Sequence, residues 1–462
     1  MKSEEVAEKT VRLAAKLGAT QTSVLATTHR GKTVEVFNQR VRSTSDEETT
    51  RLVIRIFQND RGAVVNGQCS SDEIIEGLTK QAMSQVTVTS PDKLLGLPSP
   101  AEMGKAGRDL EIFDSRVAEI NIAGLEDIVA KAESAIASAS GAEDLARICK
   151  VQASNDASAV YTSDGFSQSY SATRLTLSAS IIRDDSSPGS STNGGNFSGA
   201  VPVPDRIVAR ATTAVRMLED LDYAGLSRRL ARQRLSRSTP RPTPSGWFPV
   251  VFASSAAQMM ARLILHPLTG QIVSFIPETE AKIGGVYCSA AVTMVDDGTR
   301  PREFRTAPFD EEGVKTHATV LIERGVITNY LLNSYYGRVL EHASTGNAGA
   351  SVDPRFSVIP TNAYLEPGGV SPDSMVASIR QGFYVTGFLS GVEVIDTNFT
   401  QAASGFWIEN GKLGYPVRAA AVSSPRLEML KNIVAVGDDP ERLGPITTPS
   451  LLVSKMSISP MV

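Results

Sequence analysis

The stretch SVLATTHRGKTVEVFNQRV, residues 23–41, decides how the first half of this chain is read. Its β-branched and aromatic residues alternate with polar ones, the period of a half-buried strand. It divides into two strand-like runs, 23–30 and 33–41, with Gly31-Lys32 between them as the predicted hairpin turn. A third run, TRLVIRIF at 50–57, continues the meander. Upstream, Val6, Leu13, Ala14 and Leu17 fall on one helical face. Ser3 is placed to cap this helix, Glu4 and Glu5 suit its positive end, and Gly18 suits its left-handed stop. Downstream, SSDEIIEGLTKQAM at 70–83 predicts a second helix, capped by Ser70 or Ser71 with Glu73 placed for a capping box. A Pro-rich connection, residues 89–104, closes this first unit.

The same order recurs. LEDIVAKAESAIASA at 125–139 predicts a helix, then come strand-like runs at 147–155, 158–166 and 172–183, and a helix is expected near 205–219. Structural duplication and the ordinary alternation of an α/β domain both fit this order. SSPGSSTNGGNFSG at 186–199 has neither period, and reads as a surface loop or as a lid over a groove. Residues 227–246 carry six arginines and three prolines, without the interleaved aromatics of a nucleic-acid surface. This is the signature of a solvated helix and linker. Beyond it, short β-rich runs separated by DDG, ERG and ENG turns dominate, with SAAQMMARLIL at 255–265 the clearest helix. The expected fold is α+β: an N-terminal α/β domain over 1–222, an Arg/Pro-rich linker over 223–245, and a β-rich C-terminal domain with few helices over 246–462.

A chain of 462 residues exceeds one ordinary core, so two domains are expected. With 41% apolar and 21% charged residues and a net charge of −4, the composition is that of a soluble globular protein without a field to attract nucleic acid. No apolar run reaches the roughly 18 residues of a membrane span, and MKSEEVAEK is acidic where a secretion signal is basic and then apolar. The expectation is therefore a cytoplasmic protein that meets no membrane. Cys69, Cys149 and Cys288 have no metal or disulfide spacing and read as buried small hydrophobes.

The stretch LILHPLTGQ, 263–271, places His266 at a helix end before Pro267. A zinc peptidase helix needs two histidines one turn apart on one face and a glutamate beside the metal to take the water's proton. Here one histidine stands alone, with proline where the glutamate would be. Of the other histidines, His29, His317 and His342, no two are close in sequence, so a pair such as His317 and His342 meets only if the fold brings it together. Neither a phosphate-binding G-x-x-x-x-G-K-[ST] loop nor a G-x-S-x-G elbow is present.

APFDEEGV at 307–314, LIERGVITNYLLNSYYGRVL at 321–340, STGNAGA at 344–350, ASGFWIENGKLGYPV at 403–417 and LKNIVAVGDD at 430–439 resemble the TldD/PmbA family, and within it the PmbA branch, also called TldE. The likeness runs from FNQRVRST at 37–44 to the C-terminus. It implies a two-domain subunit of a TldD/TldE peptidase that trims unfolded peptides. In that family the TldD subunit holds zinc through an H-E-x-x-x-H helix and a C-terminal cysteine. Carried over residue by residue, His266 stands at the first histidine, Pro267 replaces the glutamate, and Gln271 or its neighbour takes the second histidine's place. LGPITTPSLLVSKMS, near the C-terminus, has no cysteine.

The resemblance therefore implies a metal-free partner with no catalytic residue of its own and a vestigial His266. It places zinc in a TldD-like catalytic subunit, bound as a heterodimer or higher assembly, and leaves this chain to shape the channel and steady that subunit. Two alternatives stay open: an independent metallopeptidase with a dispersed metal site, and a non-proteolytic regulator of the gyrase-modulator type. For peptide contact the candidates are the TGNAG turn, with Thr345, Gly346, Asn347 and Gly349, and an apolar floor of Phe406 and Trp407. A structural turn beside core aromatics is the competing reading.

Overall fold

The computed structural model describes residues 2–140, 146–182, 207–235, 241–275, 281–389, 398–442 and 444–461. The 186–199 loop, lid or not, lies outside them. The first half runs α1 (Ser3–Lys16), β1 (Gln21–Phe37), β2 (Arg40–Gln58), β3 (Arg61–Gln68), α2 (Asp72–Val88), a one-turn α3 (Ser115–Ala118), α4 (Ile122–Ser140), β4 (Ala146–Thr162), β5 (Ser167–Ile182), β6 (Ile207–Val215) and α5 (Tyr223–Leu235). Its six strands form one antiparallel sheet in the order β3-β2-β1-β4-β5-β6.

Three expectations are corrected here. The chain does not turn at Gly31-Lys32: β1 continues through both, because Gly31 lies under the His29 ring, whose Nε2 would sit 2.5 Å from any Cβ there. The turn falls instead at Asn38-Gln39, both at positive φ (47° and 65°), as a two-residue hairpin of right-handed twist requires. Residues 207–215, within the expected helix, form strand β6 on the β5 edge. The segment from residue 223, read as a solvated helix and linker, does begin as a helix, α5, but not a solvated one: Leu226 and Leu230 are fully buried in the core beneath the sheet. One smaller difference concerns α1, which starts at Ser3 itself, so Lys2 holds the cap position without a side-chain bond.

The repeated order is real in three dimensions. Helix, three strands, helix occurs twice, and the central strands β1 and β4 pair antiparallel. Gln21 faces Phe57 in the first unit and Ala146 faces Ile182 in the second, displaced by the same number of residues on both strands. Arg30 and Asn155, which correspond in this register, face each other, so a pseudo-twofold passes through that pair. Alternation then puts Val24, Ala26, Val34 and Val36 of β1 on one face, under α1 and α2 at one end and α4 and α5 at the other. The opposite face carries Leu25, Val53 and Val160 and packs on the second half of the chain.

That second half is the expected β-rich region. In chain order it comprises β7 (Gly246–Phe252), α6 (Ser254–Leu265), α7 (Gly270–Val273), β8 (Met294–Asp297), β9 (Ala318–Glu323), β10 (Val326–Ile327), α8 (Ser334–Leu340), β11 (Ala348–Gly349), β12 (Ser357–Val358), β13 (Ala363–Leu365), α9 (Pro372–Ala377), β14 (Gln381–Phe388), β15 (Asn398–Glu409), β16 (Lys412–Pro425), α10 (Arg426–Lys431), β17 (Ile433–Val436), β18 (Glu441–Arg442), β19 (Ile446–Thr448) and β20 (Leu451–Pro460). One sheet is ordered β10-β9-β8-β13-β19-β18 and another β16-β15-β14-β7-β20-β17, and β16 also pairs with β20, closing a five-stranded ring. The apolar helix α6 shares the core of this half with residues of β7, β14 and β20.

The two halves meet around one buried ion pair. Arg55 of β2 donates from Nη1 to Glu312 Oε1 at 2.6 Å, both side chains 1% exposed, and the guanidinium lies 3.8 Å from the Phe356 ring centroid. Glu312 Oε2 also accepts from the Ser334 N–H at 3.0 Å. Leaving either charge unpaired in such a place costs about 3–5 kcal/mol. Arg55→Leu should therefore lower unfolding stability by that amount in urea titration, against under about 1 kcal/mol for the exposed Arg12→Ala. The double variant Arg55→Leu, Glu312→Leu should recover only part of the loss, because the Ser334 N–H stays unpaired at about 1–3 kcal/mol.

Candidate functional site

Helix α6 buries Ala256, Ala257, Met260, Ala261, Leu263, Ile264 and Leu265, so it is held on nearly all sides. His266 is its C-cap and opens a 3₁₀ turn with Pro267. The ring is half-buried, its buried Nδ1 has no hydrogen-bond partner among the described residues, and burial pushes its pKa down. Gln271 is committed elsewhere: its Oε1 accepts from the Val358 N–H of β12 at 2.6 Å. Beside it Gly270 has no room for a side chain, since a Cβ would lie 2.6 Å from Tyr336 Cβ. The three cysteines sit in three separate cores. Burial pushes the Cys69 thiol up, and the Cys149 and Cys288 thiols up to about 12. Among the described residues no three His, Cys, Asp or Glu side chains are grouped to hold a metal ion. A zinc ion needs three or four such ligands in fixed geometry.

The acids of APFDEEGV grip the glycine-rich turn from within. Asp310 accepts from the N–H groups of Glu312 and Val314 through Oδ1, each at 2.9 Å, and of Ala348 through Oδ2 at 2.8 Å. Burial and the neighbouring Glu312 push its carboxyl above the usual range, against these three donors. Glu311 accepts from the Ala350 N–H. On the other side of the turn Asp296 accepts from Asn347 Nδ2 at 2.8 Å and Thr361 Oγ1 at 2.7 Å, with burial pushing its carboxyl up.

The turn's close backbone approach is thus to its own chain. Gly346, at φ 71°, would place a Cβ 2.7 Å from the Lys315 carbonyl oxygen, and Gly349 would place one 2.6 Å from Ile359 Cδ1. Asn347 is 1% exposed. Trp407, also 1% exposed, packs edge-on against Phe248 in the large core of the second half, while Phe406 on the opposite face of β15 packs with Met375 and Tyr384. These aromatics and the TGNAG turn therefore lie in different clusters, and motif order does not bring them together. Of the six candidate residues, Thr345 lines an open groove.

That groove has a volume of about 480 Å³ and runs along the outer side of β9, where Ala318, Thr319 and Val320 extend beyond the two-residue pairing with β10. His317 and His342, far apart in sequence, both line it, with Asn329 and Tyr330. The Val320 carbonyl accepts from Thr328 Oγ1 at 2.7 Å and Asn329 Nδ2 at 2.9 Å. Sequence gave no signal for this groove beyond the two isolated histidines, because it arises where one strand outruns its neighbour. A second cavity, about 540 Å³, lies on the face of the first sheet that packs on the second half and mixes His29, Arg51, Arg174 and Asp156 with Glu311 of the second half. Among the described residues no helix is long and apolar enough to cross a membrane.

Residues 245–460 match the PmbA/TldA metallopeptidase C-terminal domain, and residues 116–237 the central domain of the same proteins. The chain is 26% identical over 457 residues to the metalloprotease PmbA homolog of Haemophilus influenzae, covering 97% of this chain and 94% of that one. It is 26% identical to metalloprotease PmbA of Escherichia coli O157:H7 over 88% of this chain and 85% of that one. The crystal structure of TldE from Thermococcus kodakarensis superposes with a TM-score of 0.81 at 18% identity, over 98% of this chain and all of that one. The fold and these likenesses agree: the chain belongs to the PmbA/TldD family of metallopeptidase-type proteins, in its PmbA (TldE) branch.

Proposed function

We propose that this chain is the metal-free, TldE-like subunit of a cytoplasmic heteromeric zinc peptidase, whose TldD-like partner carries the metal and cleaves unfolded peptides. The observation that carries the reading is the fate of the positions on and after α6. Pro267 has no side chain to act as a base, and the Gln271 amide is spent on holding β12. Such a subunit contributes binding and alignment, which alone are large when they hold a peptide bond against an activated water in a neighbouring chain.

The β9 groove suits that contribution. An extended peptide can add to the edge of β9 that β10 does not reach, at Ala318 beyond the Val320 carbonyl held by Thr328 and Asn329, through backbone hydrogen bonds, which read no side chains and so suit a broad substrate range. In this reading Thr345 is a wall residue, whereas Gly346, Asn347 and Gly349 shape the turn behind it and Phe406 and Trp407 belong to the core.

Two experiments test the proposal. The isolated chain, dialysed against a mild chelator, should hold well under one zinc by elemental analysis and cleave nothing, and the reconstituted pair should hold its zinc in the partner. About one firmly bound zinc in this chain alone would overturn the metal-free reading. Ala318→Pro removes an N–H at the strand edge without filling the core, since Ala318 is exposed. It should raise KM for an unfolded peptide by about 10-fold in the reconstituted pair, the effect of about 1.4 kcal/mol of lost binding, with kcat and assembly unchanged. An unchanged KM would remove the β9 edge from the substrate path.

A further inference from the structure

The cavity at the seam between the two halves holds charges that do not close on one another. Its volume, about 540 Å³, is that of a small-molecule site, and such sites favour interfaces of this kind. Alternation puts His29 of β1, Arg51 of β2, Asp156 of β4 and Arg174 of β5 on one face of the first sheet, and Glu311 enters from the second half. Two arginines and two acids therefore line one space, yet among the described residues neither arginine pairs with either acid.

Each acid is engaged elsewhere. Asp156 accepts from His29 Nδ1, its cross-strand neighbour, at 2.5 Å and from Ser154 Oγ at 3.2 Å. Glu311 accepts from the Ala350 N–H. Arg174 lies over the Phe304 ring, 4.3 Å from its centroid, and donates from Nη2 to the Phe304 carbonyl at 3.4 Å. Its Nε is buried without a partner among the described residues. Arg51 makes no side-chain hydrogen bond among the described residues, and neither do Asn66 and Gln68 next to it on β3.

The sheet itself does not demand these charges. The displacement that relates the two units takes His29 to Ser154 and Arg51 to Thr176, and it derives Asp156 from Gly31 and Arg174 from Thr49. Each charged or titratable sheet residue of the cavity thus has an uncharged counterpart in the other unit, on the same strand framework. A local surplus of charge on one side of an internal symmetry needs its own explanation, because unclosed charges at a seam cost stability.

The two arginines and two acids sum to zero, so the cavity is complementary to a neutral ligand that carries both signs rather than to a simple ion. Arg51, with the Asn66 and Gln68 amides beside it, offers unspent donors to a carboxylate. Burial pushes the Glu311 carboxyl up, and the Ala350 N–H and the Arg51 charge act against this, as an added ammonium would. Arg51 and Glu311 stand too far apart to pair directly. A ligand that bridges them needs separated charges, and the two ends of an extended dipeptide are roughly 7 Å apart.

We propose that this cavity is a binding site for a short zwitterionic peptide of about dipeptide size, its carboxylate on Arg51 and its ammonium on Glu311. Nothing in the site uses the β9 groove, a metal or a partner subunit, so it stands or falls apart from the peptidase reading.

The test is equilibrium dialysis of the full-length chain against labelled alanyl-alanine, with blocked peptides as competitors. The dipeptide should bind with a Kd below about 0.1 mM. N-acetyl-alanyl-alanine lacks the ammonium and alanyl-alanine amide lacks the carboxylate, and each should compete at least about 10-fold more weakly. Arg51→Gln should weaken the dipeptide about 10-fold and leave the amide unchanged, since the amide has no carboxylate to lose. Glu311→Gln, which keeps an oxygen for the Ala350 N–H, should weaken the dipeptide by a similar factor and leave the acetylated form unchanged. Arg51 is exposed, so its replacement spares the fold, and unchanged thermal unfolding checks this. No retention of the dipeptide at about 10 mM, blocked forms that compete as well as the dipeptide, or inorganic phosphate or acetate that competes equally would each overturn the proposal.

Discussion

The Arg55–Glu312 pair is the constraint on which the rest of the architecture depends. A six-stranded sheet covered by helices on one face must place its other face against something, and here that face meets the loop region of the second half. An arginine on the core-side face of β2 is tolerable only because Glu312 and the Phe356 ring meet it. Glu312 in turn fixes the start of α8 through the Ser334 N–H, and its neighbour Asp310 fixes the turn at Ala348. One charge delivered from the first half therefore sets the position of α8 and the glycine-rich turn in the second. Those elements stand beside the groove along β9, so the placement of a binding surface is coupled to the docking of the two halves.

Much of this was legible in the sequence, and the failures have physical causes. The α+β class, the β-rich second half, α1, α2 and α4 follow from periodicity that the structure keeps. The Gly31-Lys32 turn failed because glycine there answers a side-chain crowding problem, the His29 ring, rather than a need for positive φ. Residues 207–215 failed because β6 takes its identity from pairing with β5, a tertiary decision that overrides local helical character. The solvated reading of the helix that opens 223–245 failed because four arginines interrupt the apolar residues of α5, yet Leu226 and Leu230, spaced by one turn, suffice to seat it.

The site was legible in one respect and not in another. The single His266 followed by proline marks a departure from the zinc-helix pattern, because that pattern is short and strict enough for its gaps to show. A peptide groove has no such pattern. The TGNAG turn stands out for its glycines, but those glycines serve an internal approach, to Lys315 and Ile359, that no linear motif distinguishes from an approach to a ligand. The groove residues His317 and His342 are joined only by the return of the chain after α8. Sequence separation therefore hides them while it displays the turn.

Duplication leaves a further consequence. Two copies of one helix–strand–helix unit, related by a pseudo-twofold at Arg30 and Asn155, begin with equivalent edges and equivalent faces. Fusion into one chain breaks that equivalence, since a single connecting segment runs between the units and lies along one of the two edges. The residues that cap β5 come from that connection, and no second connection exists among the described residues to cap β2. The edge left over must be kept from indiscriminate pairing or given a chosen partner. Its charges, Arg40 and Arg42 towards one end and Asp46, Glu47 and Glu48 towards the other, serve the first need, because charged side chains along an exposed edge deter a neighbouring strand.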